Sequence, residues 1–152
     1  ALSLASHCTN WEITASDISQ DALALAKQNA RKNEISKITF TESDVFSQLS
    51  GKFDIIVSNP PYIAEFEKRD MAKNVLDYEP HQALFADNEG LAIYQKIAKE
   101  ASQYLTDNGK IYLEIGHLQG KSVSELFKKY LPQKKVRVLK DLAGKDRMVA
   151  ID

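Results

Sequence analysis

The sequence predicts an α/β domain built on a mainly parallel sheet, with an antiparallel hairpin at its carboxyl end, and three observations predict it. Strand-like and helix-like periodicities alternate along the chain. The run Phe53–Val57 is nearly all apolar and of strand length, which suits a parallel strand covered on both faces. Asp17, Asp44, Asn59 and Gly116 each follow directly on a predicted strand. In open sheets of this class ligands sit beyond the carboxyl ends of the strands, so those are the positions to watch.

The elements follow in order. Ala1–Ser6 reads as a helix with no capping residue before it. Glu12–Ser16 is strand-like and ends at Asp17. Gln20 to Asn33 has helical periodicity, with Ser19 as N-cap, Ala22, Leu23, Leu25, Ala26 and Ala30 as its apolar stripe, and Asn33-Glu34 as its exit. Lys37–Glu42 alternates as a strand and ends beside Asp44. Residues 64–88 form a polar excursion with one helix expected around Lys68 to Leu76, and excursions of that length are usually functional. Its aromatics Phe66, Tyr78 and Phe85 are either a partner surface or packing anchors. Gly90 to Leu105 is helical, Asp107-Asn108-Gly109 is turn chemistry, and Lys110–Ile115 is a strand closed by Gly116. A helix over Gly120 to Tyr130 precedes the hairpin of Val136–Lys140 and Arg147–Ile151.

The 152 residues fit one domain, and 43% hydrophobic with 27% charged residues excludes a disordered or fibrous chain. Twenty Lys and Arg against 21 Asp and Glu leave a net charge of -1, which gives no electrostatic footprint for a phosphate backbone. Nucleic acid is therefore not an expected partner. The single cysteine, Cys8, cannot form an intrachain disulfide, and His7, His81 and His117 lack metal-ligand spacing. With no span-length apolar run and no signal-peptide features at the start, a cytoplasmic protein without a membrane partner or metal is expected.

Asn59-Pro60-Pro61-Tyr62 carries the clearest chemistry. Consecutive prolines fix φ and remove two N–H donors, so the loop is a rigid platform of acceptors. The Asn59 side-chain oxygen and the Pro60 carbonyl can each accept from one N–H of a planar NH2 group, with Tyr62 as a flat wall beside it. Taking both protons in hydrogen bonds concentrates density on a poorly nucleophilic nitrogen and aims it at a methyl donor, without an obligatory general base. Read otherwise, the motif is a Pro-Pro turn ending a strand. Asp17 is either a turn or cap residue or a holder of ribose hydroxyls, and Asp44 either caps a turn or meets an adenine amino group. Val45 and Phe46 line an adenine face or pack in the core.

Several segments together resemble the HemK/PrmC family: Asp17-Ile18-Ser19, the Ala22–Asn33 helix, Ser43-Asp44, Asn59-Pro60-Pro61-Tyr62-Ile63, Tyr78-Glu79-Pro80 with Ala83-Leu84, Glu89-Gly90-Leu91, Glu114-Ile115-Gly116 with Gln119-Gly120, and Asp141-Leu142-Ala143-Gly144 with Asp146-Arg147. The resemblance covers essentially the whole chain. It implies the Rossmann-like sheet of a class I methyltransferase dependent on S-adenosyl-L-methionine. The implied reaction is N5-methylation of the glutamine in the Gly-Gly-Gln motif of peptide-chain release factors. On that resemblance Asp17 binds the ribose and Asp44 and Val45 lie at the adenine, with Ile18 and Phe46 counted beside them as cofactor-binding residues. Asn59, Pro60, Pro61 and Tyr62 hold the substrate amide, with Asn59 also at the cofactor. Asn-Pro-Pro-Tyr by itself is shared with adenine and guanine amino-methyltransferases acting on DNA or RNA, which is the alternative reading.

The resemblance also implies a helical amino-terminal domain, a first strand and a glycine-rich loop ahead of the helix matching Ala1–Ser6, none of which precedes Ala1. The expectation is a catalytic domain over 1–152 whose first strand is missing. The strands ending near Ser16 and Val57 are then expected to keep an unpaired edge, and the piece alone to bind cofactor weakly or not at all.

Overall fold

In the computed structural model, which describes residues 1–64, 68, 78 and 80–152, strands and helices alternate as the periodicity predicts. Residues Ala1–Ser50 and Gly51–Asp152 form two compact units, each with its own sheet. The helix expected around Lys68 to Leu76 lies outside the described residues.

In the first unit, β1 (Ile13–Asp17) pairs in parallel with β2 (Ile38–Glu42), Ile13 opposite Ile38 and Asp17 opposite Glu42. Helix α1 (Leu2–His7) starts at Ala1 without a side-chain cap, as its sequence indicates. Helix α2 (Gln20–Lys32) begins where Ser19 Oγ accepts the Ala22 N–H at 3.2 Å and ends at Asn33. Asp21 in its first turn and Arg31 and Lys32 in its last complement the helix dipole. The buried stripe is narrower than expected. Leu23 and Ala30 are buried and Ala26 half-buried, while Ala22 and Leu25 are exposed. Leu25 stands about 200° around the helix from Leu23, so the two cannot share one contact face.

The second unit holds a four-stranded sheet in the order β3-β4-β6-β5. β3 (Phe53–Ser58) runs parallel to β4 (Leu105–Glu114), and β6 (Asp146–Ile151) is antiparallel to both β4 and β5 (Val136–Lys140). Among the described residues the unit also holds helices α3 (His81–Leu84), α4 (Ala92–Tyr104) and α5 (Gly120–Tyr130), with α4 packed on α5 and β4, and α5 on β5 and β6. Tyr94, Ile97, Ile111, Leu113, Phe127 and Val149 are buried in the resulting core.

Two readings are corrected here. β3 is not covered on both faces among the described residues, with Ile55 36% and Val57 60% exposed. Apolar composition tells which side chains favour burial, but not whether a neighbouring layer is there to cover them. Asp107-Asn108-Gly109 does not precede the strand but lies within β4, where the pairing jumps from Phe53 opposite Leu105 to Ile55 opposite Lys110. The turn residues supply a bulge, and Lys134 Nζ donates to the carbonyls of Asp107 and Gly109 at 2.8 Å each.

Among the described residues β1 is bonded only to β2 and β3 only to β4, so each has the open edge that was expected. Among the same residues no helix is long and apolar enough to cross a membrane, and no cluster of His, Cys, Asp and Glu could hold a metal ion.

Candidate active site

In the first unit the candidate residues gather at the carboxyl ends of β1 and β2. Asp17 closes β1, its Oδ1 accepting the Ser19 N–H at 2.8 Å and its carbonyl accepting the Ser43 N–H at 3.0 Å. The turn role is therefore real, and it occupies one carboxylate oxygen; Oδ2 has no protein partner among the described residues. Buried Ser43 organises the next loop by donating to the Val45 carbonyl at 3.1 Å and accepting the Gln48 N–H at 3.0 Å. Val45 takes φ +55, an unusual conformation for a β-branched residue and one that marks a constrained turn.

A cavity of about 440 Å3 is lined by Ile18, Glu42, Ser43, Asp44 and Gln48. It brings together Ile18 and Asp44 from the sequence reading and adds Glu42, whose Oε2 accepts from Gln20 Nε2 at 2.7 Å. Glu42 carried a signal, since it too is an acid at a strand end. Asp17, Val45 and Phe46 do not line this cavity, and Phe46 is 4% exposed.

In the second unit Asn59, Pro60, Pro61 and Tyr62 leave β3 and line a cavity of about 340 Å3 together with Ile63, Ala83 and Leu84. Pro60 is buried and Asn59 exposed. Neither the Asn59 side chain nor the Pro60 carbonyl has a hydrogen-bond partner among the described residues. The residues beyond them are tied down. Ile63 donates its N–H to the Leu84 carbonyl and accepts from the Ala86 N–H, both at 3.0 Å. The Tyr62 carbonyl accepts from Gln119 Nε2 at 2.9 Å.

Below the loop, Tyr94 is fully buried and its hydroxyl donates to the Glu114 carbonyl at 2.7 Å. Burial, then the neighbouring Tyr62 and Glu114, push its phenol far above the ordinary range, so it stays a donor. Beside the loop, Asn88 and Glu89 at φ +55 and Gly90 at φ +78 make a left-handed turn within Asp87–Gly90. A Cβ on Gly90 would lie 2.0 Å from the Tyr62 carbonyl oxygen, so only glycine fits. The roles of Gln119, Gly90 and Tyr94 were not read from the sequence. Each depends on a partner at least 20 positions away, as with Gln119 and Tyr62 or Tyr94 and Glu114.

A strand and helix alternation with cavities at strand carboxyl ends is the architecture of class I methyltransferases, and solved structures share it. A ribosomal protein L11 methylase from Lactobacillus delbrueckii subsp. bulgaricus aligns with a TM-score of 0.67 at 22% identity, over 99% of this chain and 63% of that one. A release factor-specific protein-(glutamine-N5) methyltransferase from Alicyclobacillus acidocaldarius aligns with a TM-score of 0.51 at 23% identity, over 91% and 77%. At these identities the likeness concerns the fold.

Residues 1–87 match the family described as Methyltransferase small domain, and the chain belongs to that family. The resemblance to HemK/PrmC agrees with a curated relative from Streptococcus pneumoniae named release factor glutamine methyltransferase. It is 56% identical over the full chain, which covers 54% of the relative's length. The chain spans about half the length of these curated relatives.

Proposed function

We propose that the chain is the catalytic part of a protein that methylates the side-chain nitrogen of the glutamine in the Gly-Gly-Gln motif of peptide-chain release factors, with S-adenosyl-L-methionine as donor. The observation that carries this reading is the Asn59–Tyr62 loop, where a side-chain oxygen and a carbonyl without partners among the described residues stand on a backbone fixed by two prolines. An amide NH2 has two donors in one plane, and Asn59 Oδ1 and the Pro60 carbonyl accept them both. Those bonds orient the nitrogen and stabilise the positive charge that develops on its N–H groups as N–C forms and S–C breaks, the surplus proton then passing to solvent, while the Tyr62 ring flanks the planar group.

When bound, S-adenosyl-L-methionine supplies a methyl group made electrophilic by its sulfonium. The residues of the first unit fit the rest of that molecule. Asp17 keeps Oδ2 for a ribose hydroxyl, and Asp44 lies on the adjacent strand end beside Ile18, which offers an apolar surface for the adenine.

The names carried by relatives at 52 to 56% identity support glutamine as the acceptor. A base in DNA or RNA calls for a basic groove, and the net charge of -1 gives that alternative no support. A release factor substrate places the protein in the cytoplasm. The test is transfer of labelled methyl from the full-length protein to a release factor. Asn59→Ala is expected to lower the rate by about 100-fold or more. Undiminished labelling in the variant, or a preference for nucleic acid over release factor, refutes the proposal.

A further inference from the structure

We infer that Gln119 is a positioning residue for the acceptor loop, acting as a clamp that fixes the direction in which Asn59 and the Pro60 carbonyl face an amide substrate. The inference rests on the proposed amide methylation and adds a residue that holds no substrate atom itself.

A glutamine amide has one acceptor and two donors, and all three are used. Its Oε1 accepts the Gly116 N–H at 3.0 Å, while Nε2 donates to the Tyr62 carbonyl at 2.9 Å and reaches the Glu89 carbonyl at 3.4 Å. The backbone N–H of Gln119 also donates to the Gly116 carbonyl at 2.9 Å, so the residue closes its own turn before it reaches outward. Three segments far apart in sequence meet on this one group: the loop after β3, the left-handed turn at 88–90, and the exit of β4.

The surroundings are built to admit it. A Cβ on Gly116 would come within 3.0 Å of Gln119 Oε1 and 3.3 Å of Tyr62 Cδ2, and a Cβ on Gly90 within 2.7 Å of Gln119 Nε2. Asparagine is a methylene too short to span these partners, glutamate has no donor for the two carbonyls, and methionine has neither donor nor acceptor of strength.

The consequence for the loop is one of counting anchors. On one side β3 holds the chain through Ser58, paired opposite Leu113. On the other, Tyr62 is held through its carbonyl by Gln119, and Ile63 by Leu84 and Ala86. Only Asn59, Pro60 and Pro61 lie between, and two of their φ angles are set by proline rings. Releasing the Tyr62 carbonyl frees the hinge nearest the acceptors. A displacement of order 1 Å at reacting groups costs up to about 100-fold in rate.

The experiment uses the full-length protein with Gln119→Met and Gln119→Glu. Glutamate keeps the acceptor for the Gly116 N–H and places a lone pair where Tyr62 needs a donor. Amide exchange at Gly116 is expected to quicken about 10-fold or more in the methionine variant and to stay slow in the glutamate variant. Both variants are expected to lower kcat/KM for the release factor by about 10- to 100-fold, with KM for S-adenosyl-L-methionine changed less than about two-fold. Wild-type transfer in either variant overturns the inference, as does an equal loss for donor and acceptor, which marks a general structural defect. If the wild-type protein labels no release factor, the functional reading fails. The exchange contrast at Gly116 then still decides the clamp: equal exchange in the two variants refutes it.

Discussion

Tyr94 shows how one buried polar group can be both a structural tie and a source of pH dependence. Its hydroxyl satisfies the Glu114 carbonyl at the end of β4, two residues before Gly116. Tyr94→Phe keeps the ring and leaves that carbonyl unpaired, an expected loss of about 1 to 2 kcal/mol at neutral pH in a denaturant melt. The phenol's value is raised in the folded state, so the folded protein keeps a proton that the unfolded chain releases. Its contribution is fully present below the ordinary phenol value of about 10 and declines as pH rises beyond it. The gap between wild type and variant is therefore expected to narrow above that pH, and parallel stability curves through the alkaline range would contradict the assignment.

At the scale of elements, the hairpin β5-β6 is closed by charge at both ends. Asp141 Oδ1 accepts the N–H groups of Ala143 at 2.9 Å and Lys145 at 3.0 Å, while Oδ2 meets Arg147 Nε at 3.3 Å. Asp152 pairs with Arg137 at the other end. The Lys145 N–H, with Arg147 and Ala143 behind it, holds the Asp141 carboxyl below its ordinary range, and Arg137 does the same for Asp152. A lowered carboxylate stabilises above its unfolded value and ceases to as pH falls through the folded one. Asp141→Ala is expected to lower Tm at neutral pH, with the difference shrinking as pH drops below about 4. A difference that persists unchanged in acid would remove charge as its cause.

What could be read in advance at this scale follows from locality. Ser19 caps α2 through Ala22, α5 spans Gly120–Tyr130, and the Asp141 turn folds on residues within six positions. Each is written in neighbouring residues. The bulge inside β4 and the contacts of Gln119 to Tyr62 and Glu89 depend on partners 25 to 57 positions apart, and no short-range pattern encodes them. The candidate site divides the same way. Asn59 to Tyr62 and the acids at strand ends, Glu42 among them, stand out by residue type, whereas Gln48 enters only when the cavity is seen.

For the whole chain, the two units differ in what each buries by itself. The unit over Gly51–Asp152 has four strands, helices packed on them, and large side chains such as Tyr94, Phe127, Ile111 and Leu113 removed from water. The unit over Ala1–Ser50 has a two-stranded parallel sheet, and its buried apolar residues are Leu23, Ala30 and Phe46 among those described. A parallel pair is weaker per residue than an antiparallel one, and two strands rarely stand alone in water. A segment of such length also buries too small a fraction of its surface to offset the entropy of ordering. Residues 51–152 expressed alone are therefore expected to give a dispersed amide spectrum and a cooperative melt, with the Asn59 loop anchored through Tyr62 and Ile63. Residues 1–50 alone are expected to give neither. A cooperative transition in the smaller piece, or a collapsed spectrum in the larger, would show that stability is shared between the units rather than concentrated in the one that carries the acceptor platform.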